Sequence, residues 1–195
     1  ESFYAAYCRQ VNSQIDLQVS RRLENLGMSE MIAPDPLMST LMDGCIEKGR
    51  DMTAANILPY TFHLLLITGL SNVVDSLCAI KKLVYEDKVA TLEDFKNAIE
   101  NNWEGYGELR LLALNKVPKY GNDNDYADEI LARVLKDFED TCVAWRFKQD
   151  KIKLPVGIGT FENYAALGRT LSASPDGRGS GEALAPNYSP TPGVD

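Results

Sequence analysis

One imidazole stands out among the side chains able to do chemistry. His63 is the only histidine in the chain, and no other side chain has an ordinary pKa near neutrality, so it is the one obvious proton-transfer group. It sits in an apolar stretch, Asn56-Ile-Leu-Pro-Tyr-Thr-Phe-His-Leu-Leu-Leu-Ile-Thr68, where a lone histidine also reads as a hydrogen-bonded core residue. A second motif, Gly44-Cys45-Ile46-Glu47, sets a thiol near a carboxylate. The remaining cysteines, Cys8, Cys78 and Cys142, are widely spaced in apolar helical patterns, with neither a CxxC pair nor a histidine partner. They read as buried free thiols of a reducing compartment, and a zinc site, which needs closely spaced nitrogen and sulfur ligands, is not expected. Asp176-Gly177-Arg178 and Pro118 to Asp123 have the look of phosphate or metal loops but lack Walker or EF-hand spacing, so both read as turns.

The elements that must hold these residues are mostly helices. Val11, Ile15, Val19 and Leu23 fall at helical spacing in a segment running from 3 to 26, which Gly27 ends. Asp35 is placed to cap, with Pro36 in the first turn, a helix through Leu37, Leu41 and Cys45 to Gly49. That places Cys45 inside the helix, where a buried thiol is inert. A mainly apolar loop, 52 to 68, leads to a helix over about 72–86 with Val73, Val74, Leu77, Ile80 and Val84 on its buried side. Thr91 and Asp94 approximate a capping box for a helix to about Asn101, and another short helix covers about 105–115. The clearest stripe, Ala127, Ile130, Leu131, Val134, Leu135, Phe138, Cys142 and Trp145, marks a helix over about 125–149 whose breadth demands a large packing partner. After Pro155 the composition turns to Gly, Ser, Pro and Ala, and the last forty residues read as short strands and loops.

Composition excludes several classes. The 195 residues are 45% apolar, enough for a substantial core, and they carry a net charge of -8. A nucleic-acid partner is not expected, because phosphate-backbone binding rests on clustered Lys and Arg. No run approaches the roughly eighteen apolar residues that span a bilayer, so no membrane partner is expected either.

Three blocks in order carry a family resemblance. Leu171-Ser-Ala-Ser-Pro-Asp-Gly-Arg178, followed by Gly181-Glu182 and Tyr188-Ser-Pro-Thr-Pro-Gly193, is the strongest. It is joined by Gly69 to Asp87, reading GLSNVVDSLCAIKKLVYED, and by Pro118-Lys-Tyr-Gly-Asn-Asp123 with Asp125-Tyr126. Together they resemble the glycyl-radical enzymes of the pyruvate formate-lyase family, on the dehydratase and decarboxylase branch.

The resemblance implies an α/β fold of which this chain is a helix-rich piece, part of a ten-stranded α/β barrel with surrounding helices. Residues 1–150 would be the helical part of that domain and 151–195 a strand and loop segment, with the C-terminal glycine radical domain absent. The chain begins at Glu1 within a helical pattern, ends just after Pro192-Gly193, and lacks an Arg-Val-Ala/Ser-Gly-Tyr type of loop, so it reads as an internal piece of a longer enzyme. The implied activity is cleavage of a C–C, C–O, C–N or C–S bond in a small organic substrate by thiyl-radical hydrogen abstraction. No bound cofactor is implied; the glycyl radical would lie outside this chain, installed by a radical S-adenosylmethionine activase. An anaerobic cytoplasm and a homodimer of the full-length protein follow by the same analogy. The competing class is a non-enzymatic helical scaffold derived from that fold.

Site residues follow residue by residue. The family's catalytic cysteine lies in a Gly-Cys-x-Glu on a loop upstream of the helix that holds Cys45, so no catalytic residue is expected in this segment, with Cys45 the alternative. Tyr60 and Phe62 match a loop of relatives that is otherwise small and polar, whereas this chain has His63, Leu64, Leu65 and Leu66. If that loop faces substrate, the pocket is drier, and a bulky apolar carboxylate is favoured over glycerol. Pro155 to Tyr164 occupies the place of a pocket strand in relatives. Tyr60, His63, Ile158, Thr160 and Phe161 are therefore the expected substrate contacts, and packing against the scaffold is the alternative for all of them.

Overall fold

The computed structural model describes residues 2–26, 28–54, 57, 61–150, 152–160 and 163–193. Helices dominate: α1 Ser2–Glu24, α2 Met28–Ile32, α3 Pro36–Ser39, α4 Cys45–Lys48, α5 Leu70–Ala79, α6 Leu92–Glu100, α7 Gly107–Asn115, α8 Asp125–Lys148 and α9 Asn163–Thr170. The strands are short, β1 Thr61–Phe62, β2 Leu65–Ile67, β3 Ile152–Lys153 and β4 Val156–Ile158. β1 pairs in parallel with β3, and β2 pairs with β4. The chain divides into two compact units, 1–65 with 137–156 and 66–136 with 157–195.

In the first unit, α1 and the C-terminal half of α8 lie side by side. Tyr4 donates to Asp137 at 2.8 Å, Thr141 to Asn12 at 2.8 Å, and Trp145 to Asp16 at 2.7 Å. Both members of these pairs rise together in number, so the two helices run parallel. Between them Ile15, Val19, Cys142, Leu65, Ile152 and Leu154 form a buried cluster, the apolar stripes of both helices closing on the strand pair. Thr61 is in register with Ile152, and the ladder continues with His63 N–H donating to Lys153 O at 2.8 Å and Leu65 N–H to Pro155 O at 3.1 Å.

The expected single helix through residues 36–48 is two short ones. Asp35 does cap, its carboxylate accepting the Met38 N–H at 3.0 Å, but α3 ends at Ser39, and Gly44 adopts φ +85° before α4. A glycine in that left-handed region interrupts the helix. Asp51 then staples the segment, accepting from the Asp35 N–H, Ser39 Oγ, and both the N–H and hydroxyl of Thr53 at 2.7–2.9 Å. Met31, Ile32, Leu37, Leu41 and Ile46 remain strongly exposed around this stapled segment.

In the second unit α5 continues as a π-helix over Ile80–Glu86. A π-helix widens the turn and so shifts the facing of later residues. Leu83 is accordingly buried, whereas Val84, placed inward by an α-helical count, is only half-buried. The capping box at α6 is complete: the Asp94 N–H reaches Thr91 Oγ1 at 3.1 Å and the Thr91 N–H reaches Asp94 Oδ2 at 2.8 Å. Phe95 on α6 meets Trp103 edge to face, with ring centres 6.3 Å apart.

The last forty residues contain one helix that composition concealed, α9. Its Gly168 lies against the chain at 182–184, where a Cβ would come within 2.4 Å of the Glu182 carbonyl oxygen. Beyond it the chain turns back through a tight loop, 171–182, and then runs as a strap from Leu184 to Thr191, interrupted by a turn in which the Ser189 N–H donates to Pro186 O at 2.9 Å and Asn187 has φ +51°.

Candidate functional site

Loop and strap are held by buried polar side chains. Asp176 accepts from Asn72 Nδ2 at 2.7 Å, Ser174 Oγ at 2.6 Å and the Arg178 N–H at 3.2 Å. Arg178, 7% exposed, donates to Ser174 Oγ and to the carbonyls of Ser172, Gly179 and Glu182. Its own carbonyl accepts from Trp103 Nε1 at 3.1 Å. Arg110 reaches Gly177 O at 2.8 Å and Glu182 at 3.2 Å. The arms of this loop therefore close on the loop itself or on the segment from α5 to Lys119, whose ammonium donates to Asp176 O at 2.9 Å.

One face of α5 grips the strap. Ser71 donates to Ser189 O at 2.6 Å, Asn72 accepts the Ala185 N–H at 2.8 Å, and Asp75 accepts Thr191 Oγ1 at 3.2 Å. Tyr120 adds a bond from its hydroxyl to Tyr188 O at 3.0 Å, while its N–H goes to Asp75 at 2.8 Å. Burial pushes the Asp75 carboxyl above its ordinary value, opposed by the Tyr120 N–H and the Lys119 charge. Asp75, Lys119 and Asp176 share the wall of a cavity of about 350 Å³ with Leu114, Tyr164 and Leu184.

Sequence reasoning missed Asn72, Asp75 and Lys119. The available signal was three polar residues, Ser71, Asn72 and Asp75, among the apolar buried positions of α5. Among the described residues no group of three or more His, Cys, Asp and Glu is placed to hold a metal ion.

The residues singled out from sequence are placed as follows. Tyr60 and Phe161 lie outside the described residues. His63 is half-buried in the first unit beside β1, and burial together with the Arg22 charge holds its imidazolium below the ordinary 6.5. Leu65 is turned into the helix cluster, so it belongs to the core, while Leu64 and Leu66 are exposed. In the second unit Ile158 is half-buried on β4, and Thr160, 3% exposed, is locked to Asn187. The Thr160 N–H donates to Asn187 Oδ1 at 2.8 Å and the Asn187 N–H donates to Thr160 Oγ1 at 3.0 Å. Cys45 is 2% exposed and packs with Ala54 and Ile57, opening α4 rather than lying in mid-helix.

His63 gives a clean pH test because it is the sole histidine. Its folded pKa is depressed, so as pH falls the unfolded chain takes up the proton first; the stability it contributes is complete above 6.5 and is lost below. An NMR titration of the ring should have its midpoint under 6.5, and His63→Gln should flatten the stability profile in that acid range. A midpoint at or above 6.5 would contradict the buried placement.

Comparison with known proteins adds a family. The family model described as pyruvate formate lyase-like matches residues 1–168. Trans-4-hydroxy-L-proline dehydratase of Clostridioides difficile is 32% identical over all of this chain and 24% of its own length. Isethionate sulfite-lyase of Bilophila wadsworthia is 41% identical over 65% of this chain and 15% of its own. A solved structure from a study of 1,2-propanediol dehydration in Roseburia inulinivorans superposes with a TM-score of 0.86 at 30% identity, covering 99% of this chain and 25% of that one. The chain thus spans about a quarter of the length of these full-length relatives.

Proposed function

Because the chain belongs to the pyruvate formate lyase-like family of glycyl-radical enzymes, among its dehydratase-like members, we propose that it serves as part of a radical lyase acting on a small organic molecule. The carrying observation is that 99% of the chain superposes on one quarter of such an enzyme at 30% identity. In this reading the whole protein is built on the ten-stranded barrel, and it cleaves a C–C, C–O, C–N or C–S bond, dehydration or decarboxylation being favoured over acyl transfer. The radical glycine, generated by a radical S-adenosylmethionine activase, supplies the oxidising equivalent for hydrogen abstraction through a cysteine. Neither residue is assigned to this chain.

The share of the work given to this chain is shape and polarity. Tyr60, His63, Ile158, Thr160 and Phe161 are proposed to contribute to the substrate wall, Thr160 by fixing Asn187 rather than by offering its own hydroxyl. Leu64 and Leu66, both exposed, are left to give that wall its apolar character, while Leu65 is taken up by the core. Burial of an apolar substrate face there would contribute about 25 cal/mol per square ångström. We assign the whole protein to an anaerobic cytoplasm, as a homodimer.

The test is electron paramagnetic resonance. The protein is incubated anaerobically with activase and S-adenosylmethionine, once at full family length and once as these 195 residues. The long form should develop a glycyl doublet and the chain alone should not; a doublet assigned to any glycine of this chain would overturn the division of labour. Cys45→Ser in the long form should cost on the order of 1 kcal/mol in stability and leave turnover in place. Abolished turnover with an undiminished radical signal would instead make Cys45 the thiyl site.

A further inference from the structure

The second unit contains a buried cation whose hydrogen bonds are incomplete. Lys119 is 4% exposed, and its ammonium donates to the Asp176 carbonyl at 2.9 Å. Among the described residues no carboxylate comes within ion-pair distance of it, and that carbonyl is its one hydrogen-bond acceptor. An ammonium offers three donors, and a buried one is costly unless they are met. Two therefore remain for whatever occupies the cavity of about 350 Å³ that Lys119 lines.

The other walls narrow the choice. Leu114, Leu184 and Pro192 are apolar, and Tyr164 brings a phenol. The Asp176 carboxylate is engaged by Asn72, Ser174 and the Arg178 N–H, and it is the backbone carbonyl of that residue that meets the ammonium. Asp75, also in the wall, is committed to Tyr120 and Thr191. Asp75, Asp176 and Glu182 in the lining balance Lys119, Arg110 and Arg178 charge for charge, and both guanidiniums are already committed to loop acceptors. The wall therefore has no surplus positive charge for a doubly charged anion such as phosphate, while a single carboxylate can take both free ammonium donors in charge-assisted bonds. The volume and the apolar walls accommodate a short hydrocarbon body behind that carboxylate.

We propose that this cavity is a binding site for a short aliphatic monocarboxylate, held by Lys119. The inference goes beyond the radical-lyase reading and does not depend on it, since it rests on geometry within one unit and needs no radical.

Calorimetric titration of the chain with butyrate tests it. Binding should saturate at one site, and Lys119→Met should weaken it about tenfold or more, the loss expected from removing charge-assisted bonds. Ala183→Phe, a change at an exposed residue of the cavity rim, should weaken it comparably while leaving the ammonium in place, and it decides the matter if Lys119→Met does not fold. Inorganic phosphate should bind at least about tenfold more weakly than butyrate. Non-saturating heats, butyrate affinity indifferent to both substitutions, or phosphate binding as tightly as butyrate would each overturn the assignment. Because no activase or radical is involved, failure here leaves the lyase reading untouched, and failure of the radical experiment leaves this site untouched.

Discussion

Arg178→Met should lower the stability of the chain by about 3–5 kcal/mol, the largest effect expected of any single substitution away from a glycine. Methionine fills much of the arginine's volume but donates nothing. The carbonyls of Ser172, Gly179 and Glu182, together with Ser174 Oγ, would lose their donor inside a loop that already encloses them. Lysine would not rescue it, since one ammonium cannot span acceptors arranged for a planar guanidinium. Urea unfolding followed by circular dichroism measures the loss directly. A shift of less than about 1 kcal/mol would mean that water reaches those carbonyls and that the loop is not closed as described.

Gly121→Ala should cost about 2–4 kcal/mol by two additive mechanisms. Gly121 sits at φ +95°, a conformation that an L side chain resists. A Cβ there would also come within 2.1 Å of Pro190 Cγ, and a proline ring has little freedom to withdraw. Gly105→Ala serves as the control, for Gly105 has φ +80° but nothing within 4 Å of its Cβ position. The difference between the two variants in thermal or urea unfolding isolates the packing part. Equal losses would show that the strap yields to the intruding methyl.

Legibility in the sequence followed the range of the interactions. The Thr91–Asp94 box was readable because every participant lies within four residues, and α8 because its stripe repeats from Ala127 to Trp145 along a helix of twenty-four residues. The break at Gly44 was not, since its neighbours kept helical spacing and only the backbone turned left-handed. The π segment defeated a 3.6-residue count in the same way, exchanging Val84 for Leu83. α9 was hidden by a glycine in its interior, Gly168, whose missing Cβ lets the chain at 182–184 lie against the helix. The strap clamp was illegible for a different reason: Ser71, Asn72 and Asp75 find partners more than a hundred residues away, and nothing local marks them as a set. Motif resemblance located the right blocks without saying what their polar residues bind, so the cavity beside Lys119 emerged only from coordinates.

The strap's manner of attachment relocates its mutational constraint. Ser189 and Tyr188 are gripped through their carbonyl oxygens, by Ser71 and Tyr120. Any residue supplies a carbonyl, so a saturation library should accept most replacements at 188 and 189 while rejecting changes at Ser71 and Asn72, whose side chains do the holding. Two stretches in contact would then drift at unequal rates. The helix would stay nearly fixed in sequence, and the exposed positions of the strap, equally well placed in space, would vary almost without penalty.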